Sequence, residues 1–167
     1  MPNIDRVLKS LLSDSPLLTD LAGFGLCENS AIVQKGDVFI ASATDLGQRQ
    51  AHVEQALAAG AVAILYDQDA NAPKAQGALM YAVENLAQRK SALAVKFYAA
   101  PSAQVDCVGI TGTNGKTSIG FHVANFSDLL GVPCGYCGTL GWGRVEALAE
   151  AALTTPNAVE MQRRIAN

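Results

Sequence analysis

Val105-Asp106-Cys107-Val108-Gly109-Ile110-Thr111-Gly112-Thr113-Asn114-Gly115-Lys116-Thr117-Ser118 passes from an apolar, β-branched run into a glycine-rich turn ending in Gly-Lys-Thr. Strand, glycine loop and helix, in that order, are what phosphate binding requires. Successive backbone N–H groups curl round the anion, and the helix behind them adds its positive dipole end. Gly112 and Gly115 permit φ values and a close approach that a Cβ would block. In such a loop Lys116 reaches the β- and γ-phosphates of a nucleotide and the Thr117 hydroxyl coordinates Mg²⁺. The strict pattern wants glycine where this chain has Ile110, so an ordinary βα turn is the plain alternative. The flanks favour the phosphate site. From Ser118 onward Ile119, Val123, Phe126 and Leu130 share one helical face, Gly131 can end the helix and Pro133 stops it.

Composition bounds the rest. The chain has 167 residues, 50% of them hydrophobic and 16% charged, which describes a globular chain able to bury a core. A formal net charge of −3 and the lack of a basic stripe argue against a nucleic-acid partner. The most apolar stretch, 56–66, is far shorter than the roughly 18 residues of a spanning helix, and Gly60 interrupts it. Asp5, Arg6 and Lys9 break up the amino terminus, so no secretory signal is read and a cytoplasmic setting is expected. The cysteines at 27, 107, 134 and 137 form no disulfide framework. Cys134-Gly-Tyr-Cys137 lacks further ligands at metal spacing and does not open a helix, so core or sheet cysteines are expected. His52, His122, Asp106 and Trp142 carry no functional reading.

Periodicity predicts alternating helices and strands. Asn3 caps a helix to Leu12, followed by a turn at 13–16 and a short strand or two within 17–32. Val38-Phe39-Ile40-Ala41 reads as a buried strand after the turn at 35–37, and 44–50 as a polar loop beyond its carboxyl end. A helix over 51–59 and a strand over 61–66 follow. After a polar loop at 67–76 come a strand over 77–83 and a helix from Asn85 to about Tyr98, with Leu86, Leu93 and Phe97 inward. The pattern predicts an α/β layer with mostly parallel pairing. Ala99-Ala-Pro-Ser-Ala103 reads as a linker, giving domains 1–100 and 104–167. In the second, 133–139 reads as the next parallel strand, 140–144 as a turn or hairpin tip, and a helix begins near Asn157. Two strands cannot close an α/β nucleotide domain, so an amino-terminal piece of a longer protein is expected.

The run Gly109-Ile-Thr-Gly-Thr-Asn-Gly-Lys-Thr117 resembles the ATP loop of the Mur ligases, and the departure at Ile110 is that family's form. Leu153-Thr154-Thr155-Pro156 with the following helix, and Gly36-Asp-Val-Phe-Ile-Ala41, are similar to segments of the MurE type, the UDP-N-acetylmuramoyl-tripeptide synthetases. Asn29-Ser30-Ala31 stands where that family reads Asp-Ser-Arg, and Leu46-Gly47-Gln48-Arg49 where it reads Asp-Gly-Arg. The resemblance implies a small mixed-sheet α/β uridine-binding domain followed by the start of a P-loop parallel-sheet ATPase domain.

It also implies an ADP-forming ligase of peptidoglycan precursor synthesis. That enzyme adds a diamino acid, expected to be meso-diaminopimelate, to UDP-MurNAc-L-Ala-D-Glu through an acyl phosphate. ATP would be held by Gly112, Thr113, Asn114, Gly115, Lys116, Thr117 and Ser118, with Lys116 catalytic and Thr117 on Mg²⁺. UDP-MurNAc-dipeptide would be held by Ser30, Asp45, Leu46, Gly47, Thr154 and Thr155; Asp45 to Gly47 rest on loop position alone, and helix capping is the plain alternative for the threonine pair. Only small-molecule partners are expected, with no membrane insertion and a monomer at full length. This span alone is expected to be inactive. Other readings are a stand-alone nucleotide or UDP-sugar binding module and another P-loop phosphotransferase.

Overall fold

Val38–Ala41 is the centre of the first sheet, buried at every residue. The computed structural model describes residues 3–13, 23–68, 71–150 and 155–166. It divides into two units, Met1–Pro101 with Ala158–Asn167, and Ser102–Asn157. The helix after Asn157 thus belongs by its packing to the first unit, not to the second where chain order puts it.

In the first unit four strands lie in the order β1 (Leu26–Cys27), β2 (Val38–Ala41), β3 (Ala63–Asp67) and β4 (Leu79–Val83). Each pairing is parallel, in the register Leu26↔Val38, Val38↔Ala63 and Ala63↔Leu79, so the expected mixed sheet is corrected to a parallel one among the described residues. Parallel strands need cover on both faces, and alternation along β2 divides its side chains between two cores. Val38 and Ile40 join Leu8 and Leu11 of α1 (Ile4–Leu12), Leu86, Leu93 and Phe97 of α3 (Leu86–Phe97), and Val159 of α5 (Ala158–Ala166). Phe39 and Ala41 face the other way, onto Val53 and Ala56 of α2 (Leu46–Ala58).

Local chemistry sets the ends. The Asn3 side chain accepts from Asp5 N and starts α1, as the sequence predicts. The expected loop over 44–50 is corrected: α2 begins at Leu46, because the Asp45 carboxylate accepts from Gln48 N at 2.8 Å and caps it. Asn85 is not a side-chain cap either. It sits at φ 52 with no capping bond, and the Asp67 carboxylate at the end of β3 takes Leu86 N at 3.0 Å instead.

Lys96 of α3 donates to Ser10 O and Leu11 O at 2.8 and 3.1 Å, tying α3 to the end of α1. Tyr98 Oη accepts from Leu26 N at 2.9 Å and donates to Leu26 O at 3.2 Å. Asp37 Oδ2 accepts from Gln34 N at 2.9 Å and from Arg163 Nη1 at 3.0 Å, which pins α5 beside β1 and β2. A Cβ on Gly25 would meet Asp37 Oδ1 at 2.3 Å, so this pair requires glycine there.

The second unit is built on α4 (Lys116–Leu129) and an antiparallel hairpin of β5 (Gly135–Gly138) and β6 (Gly141–Arg144). Two expectations are corrected. The segment 105–110 forms no strand, and β5 pairs antiparallel with its sequence neighbour through a turn at Thr139-Leu140. A strand needs a neighbour to complete its ladder, and no described strand lies against 105–110, where Val108 is 76% exposed. The helical face that carries Ile119, Val123, Phe126 and Leu130 is exposed as well. The face that is covered carries Ala124 and Gly120, where a Cβ would stand 3.2 Å from the buried Tyr136 ring of β5. Asp128 accepts from Cys134 N at 3.0 Å and pairs with Arg144 at 2.8 Å, joining the end of α4 to both hairpin strands.

Two outcomes follow from the first unit. Arg163→Met leaves Asp37 buried without its counter-charge and lowers unfolding stability by about 3–5 kcal/mol in urea titration; Asp37→Asn in the same chain recovers part of this. Burial drives the Tyr98 phenol from 10.0 up to about 12. Below pH 10 the phenol is protonated folded and unfolded alike; above it the unfolded chain ionises first, so stability falls as pH rises from 10 to 12. Tyr81, pushed up to about 12 by burial and by Asp5, shares that window. Tyr98→Phe therefore costs about 1–3 kcal/mol at neutral pH and makes the alkaline fall shallower, both readable by denaturant titration across pH.

Candidate functional site

In the second unit, Gly112 at φ 147 and Gly115 at φ 78 turn the chain into α4 through conformations that favour glycine. Neither site is crowded: a Cβ would stand 3.6 Å from Asn114 O at Gly112 and 3.7 Å from Ile119 Cδ1 at Gly115, so conformation, not space, is what these glycines supply. Residues 111–116 are exposed, which leaves the loop open to a ligand. Gly115 has no side chain to cap α4, so the first N–H groups of a 14-residue helix face the loop without a capping bond.

Lys116 is the first residue of α4, and its ammonium folds back over the loop, donating to Gly112 O and to Thr113 O. A phosphate in the loop would exchange these carbonyl partners for charged oxygens. Thr117 Oγ1 lies 3.4 Å from Thr139 Oγ1 at the hairpin turn, which keeps its hydroxyl at the loop. Thr113, Asn114 and Ser118 are exposed beside it. The residues from Gly112 to Ser118 are thus brought together, as a loop and a first helical turn with one cation and no carboxylate. This donor set suits a nucleotide polyphosphate, with Thr117 the hydroxyl that could reach its metal ion.

The first unit holds a separate cleft of about 420 Å³ at the carboxyl ends of β2 and β3. Ala41 and Asp67 end those strands at its floor, and Leu46, Leu86 and Ala87 bring the first turns of α2 and α3 to its wall. Thr44, Ser42, Arg49 and Asn71 complete it. Open parallel sheets take ligands at such strand ends. Of the substrate residues expected from the sequence, Leu46 lines this cleft, Asp45 caps α2 beside it, and Gly47 lies in the first turn. Ser30 does not line it: the side chain is buried and donates to Gln55 Oε1 at 2.8 Å. Thr155 is exposed in the second unit, and Thr154 lies outside the described residues.

Sequence reasoning missed Ser42, Arg49 and Asp67. Ser42 donates to Glu28 Oε1 at 2.6 Å, and Glu28 also pairs with Lys90. Arg49 is 6% exposed, and its Nε donates to Ala43 O at 2.7 Å. The signal that could have found it is the Asp45-x-x-Gln48 spacing, which marks a helix start and sets Arg49 one residue further in. Among the described residues no three His, Cys, Asp or Glu side chains gather as a metal cluster. None of the four cysteines is in a disulfide: Cys27 is buried, Cys134 half-buried, Cys107 and Cys137 exposed. Of the pair expected in the core or a sheet, Cys137 lies in β5 and Cys134 just before that strand, while Cys27 is buried in β1.

No protein-family model matches the chain. Among curated proteins it is similar to UDP-N-acetylmuramoyl-L-alanyl-D-glutamate–2,6-diaminopimelate ligases. It is 42% identical to the one from Pseudomonas aeruginosa over 135 residues, which is 80% of this chain and 28% of that protein. The Ectopseudomonas mendocina ligase is 39% identical over 140 residues, covering 83% of this chain and 29% of the relative. For Xanthomonas campestris the figures are 39% over 159 residues, 95% and 32%. A solved structure of a ligase with the same name matches with a TM-score of 0.56 at 25% identity, over 85% of this chain and 28% of that one. The chain therefore spans about three tenths of the length of the relatives it matches. Identity near 40% along most of its residues, together with the likeness in fold, means that the chain belongs to the MurE-type Mur ligase family.

Proposed function

We propose that this chain supplies the ATP-binding loop and a nucleotide-sugar-binding unit of an amide ligase in peptidoglycan precursor synthesis. The observation that carries the reading is the exposed loop Gly112–Ser118 opening onto the N-terminus of α4, with Lys116 folded over it. The names of its relatives support the chemistry: a ligase joining 2,6-diaminopimelate to UDP-N-acetylmuramoyl-L-alanyl-D-glutamate.

In the proposed reaction a carboxylate oxygen of the D-glutamate attacks the γ-phosphorus of ATP, and the bond to the β,γ-bridging oxygen breaks to release ADP. The amine of the diamino acid, meso-diaminopimelate in this reading, then attacks the acyl carbon. The amide forms, the amine sheds a proton, and phosphate leaves with the carboxylate's oxygen. Phosphoryl transfer asks a protein mainly for positioning and for neutralisation of charge. Lys116 and the loop amides would supply positive potential where charge builds on the β- and γ-oxygens. Thr113, Asn114 and Ser118 would flank the phosphates, and Thr117 would hold a Mg²⁺ ion, which supplies positive charge against the phosphate oxygens. In this reading Asp45, Leu46 and Gly47 meet the UDP-linked substrate at the cleft, whereas Ser30, buried against Gln55, does not line it. The proposed setting is the cytoplasm, with small molecules as the only ligands.

Calorimetric titration of the chain with Mg·ATP tests the loop. Replacing Lys116 by Ala removes a charged donor to phosphate and should weaken ATP binding about 10- to 100-fold. Equal affinity of the two proteins would sink the assignment.

A further inference from the structure

The Thr117 hydroxyl, half-buried in the first turn of α4, is aimed in one direction. Its Oγ1 donates toward Thr139 Oγ1, 22 positions further along the chain, at 3.4 Å. Oxygens of two well-bonded hydroxyls lie about 2.7–2.8 Å apart, so this contact sets direction more than it adds stability. Thr139 is exposed in the turn between β5 and β6, beside the glycine loop.

The hairpin is fastened to α4 by groups other than Thr139. Gly120 of α4 lets the Tyr136 ring of β5 approach, since a Cβ there would stand 3.2 Å from it, and a Cβ on Gly138 would collide with Tyr136 Oη. At the open end of the hairpin Asp128 of α4 accepts from Cys134 N at 3.0 Å and pairs with Arg144 at 2.8 Å. These contacts carry the turn to the start of the helix whatever the Thr139 side chain does. The Thr139 hydroxyl is therefore spare as far as the fold is concerned.

A hydroxyl meets a cation through an oxygen lone pair, so its proton has to point away from the ion and toward an acceptor. Residues 111–118 contain no carboxylate that could take this proton, and the Lys116 ammonium can only donate. Thr139 Oγ1 is the acceptor that the hairpin brings to Thr117. Resting on the reading of the loop as a Mg·ATP site, we infer that Thr139 is a positioning residue. By accepting the Thr117 proton it turns a Thr117 lone pair toward the Mg²⁺ ion of a bound nucleoside triphosphate. Its effect runs through Thr117 and needs an oxygen at position 139, which serine supplies and valine, of nearly the same shape, does not.

Calorimetric titration of the whole 167-residue chain with ATP, once in excess Mg²⁺ and once in EDTA, measures how far the ion tightens binding. The parent chain should show a gain of at least about 10-fold, and Thr139→Val should abolish most of it while ATP in EDTA binds as before. Thr139→Ser should keep the gain. In Thr117→Val the gain is already lost, and adding Thr139→Val should change nothing further, because the two groups act as one. Thr139→Ala repeats the comparison without a β-branch in the turn, should circular dichroism show that valine disturbs it. A full gain in the folded Thr139→Val or Thr139→Ala chain overturns the inference and leaves the loop assignment intact. Equal weakening of ATP with and without the ion also overturns it, since Thr139 would then merely shape the hairpin. ATP binding that Mg²⁺ does not tighten in the parent chain overturns it as well, while the polyphosphate reading survives. A parent chain that binds no ATP in either buffer brings down the loop assignment and the inference together.

Discussion

The carboxylate of Asp37 is the constraint on which the first unit depends. It is buried at the start of the central strand, and it holds together residues far apart in the chain: Gln34 of the preceding turn and Arg163 of α5. Burial is the largest influence on the Arg163 guanidinium and works against its charge, yet the opposing influences together, led by the Asp37 carboxylate, raise it above its ordinary value. Arg163 thus keeps its charge inside the fold, where a buried guanidinium without a partner would be strongly disfavoured. Its geometry reaches further. Gly25 has to lack a Cβ because Asp37 Oδ1 occupies that space, and Gly36 must adopt φ 97 to deliver Asp37 into it. Val159 then closes the core that α1 and α3 share with the sheet.

This anchoring gives the Gly36-Asp37-Val38-Phe39 segment a structural meaning. On sequence grounds the segment resembles part of a uridine-binding domain, which invites the idea that Asp37 touches a nucleotide. In the structure its carboxylate is spent on Gln34 and Arg163, and the residues after it are buried strand. The segment fixes where β2 ends. The cleft opens at that end, where Ala41, Ser42 and Thr44 leave the sheet.

What the sequence made legible follows from the range of the forces involved. Val38–Ala41, α1 with its Asn3 cap and the inward Leu86, Leu93 and Phe97 are read correctly because apolar periodicity reports burial directly. The start of α2 is misread because Gly47 and four polar neighbours imitate a loop, while the decisive bond, Asp45 to Gln48 N, is a single local interaction. Asp67 as the cap of α3 is invisible to local reading, since it acts across 19 positions. In the second unit the residues of the glycine loop are legible and the strand before them is not. Glycine conformation is a property of a few residues, whereas a strand at 105–110 depends on neighbours that the described residues do not provide.

The two candidate sites solve the problem of holding an anion in different ways, and the difference has a physical origin. The loop at 112–118 has no carboxylate and keeps its lysine exposed, with the ammonium parked on carbonyl oxygens that any phosphate can outcompete. Such a site would gain and lose a polyphosphate at little cost in reorganisation. The cleft holds its arginine buried and stapled, with two helix caps already consumed by Asp45 and Asp67. Fixed donors in a low-dielectric wall discriminate by geometry more than by charge alone. That division sets a loop whose cation is free to exchange partners against a cleft whose cation is fixed in orientation.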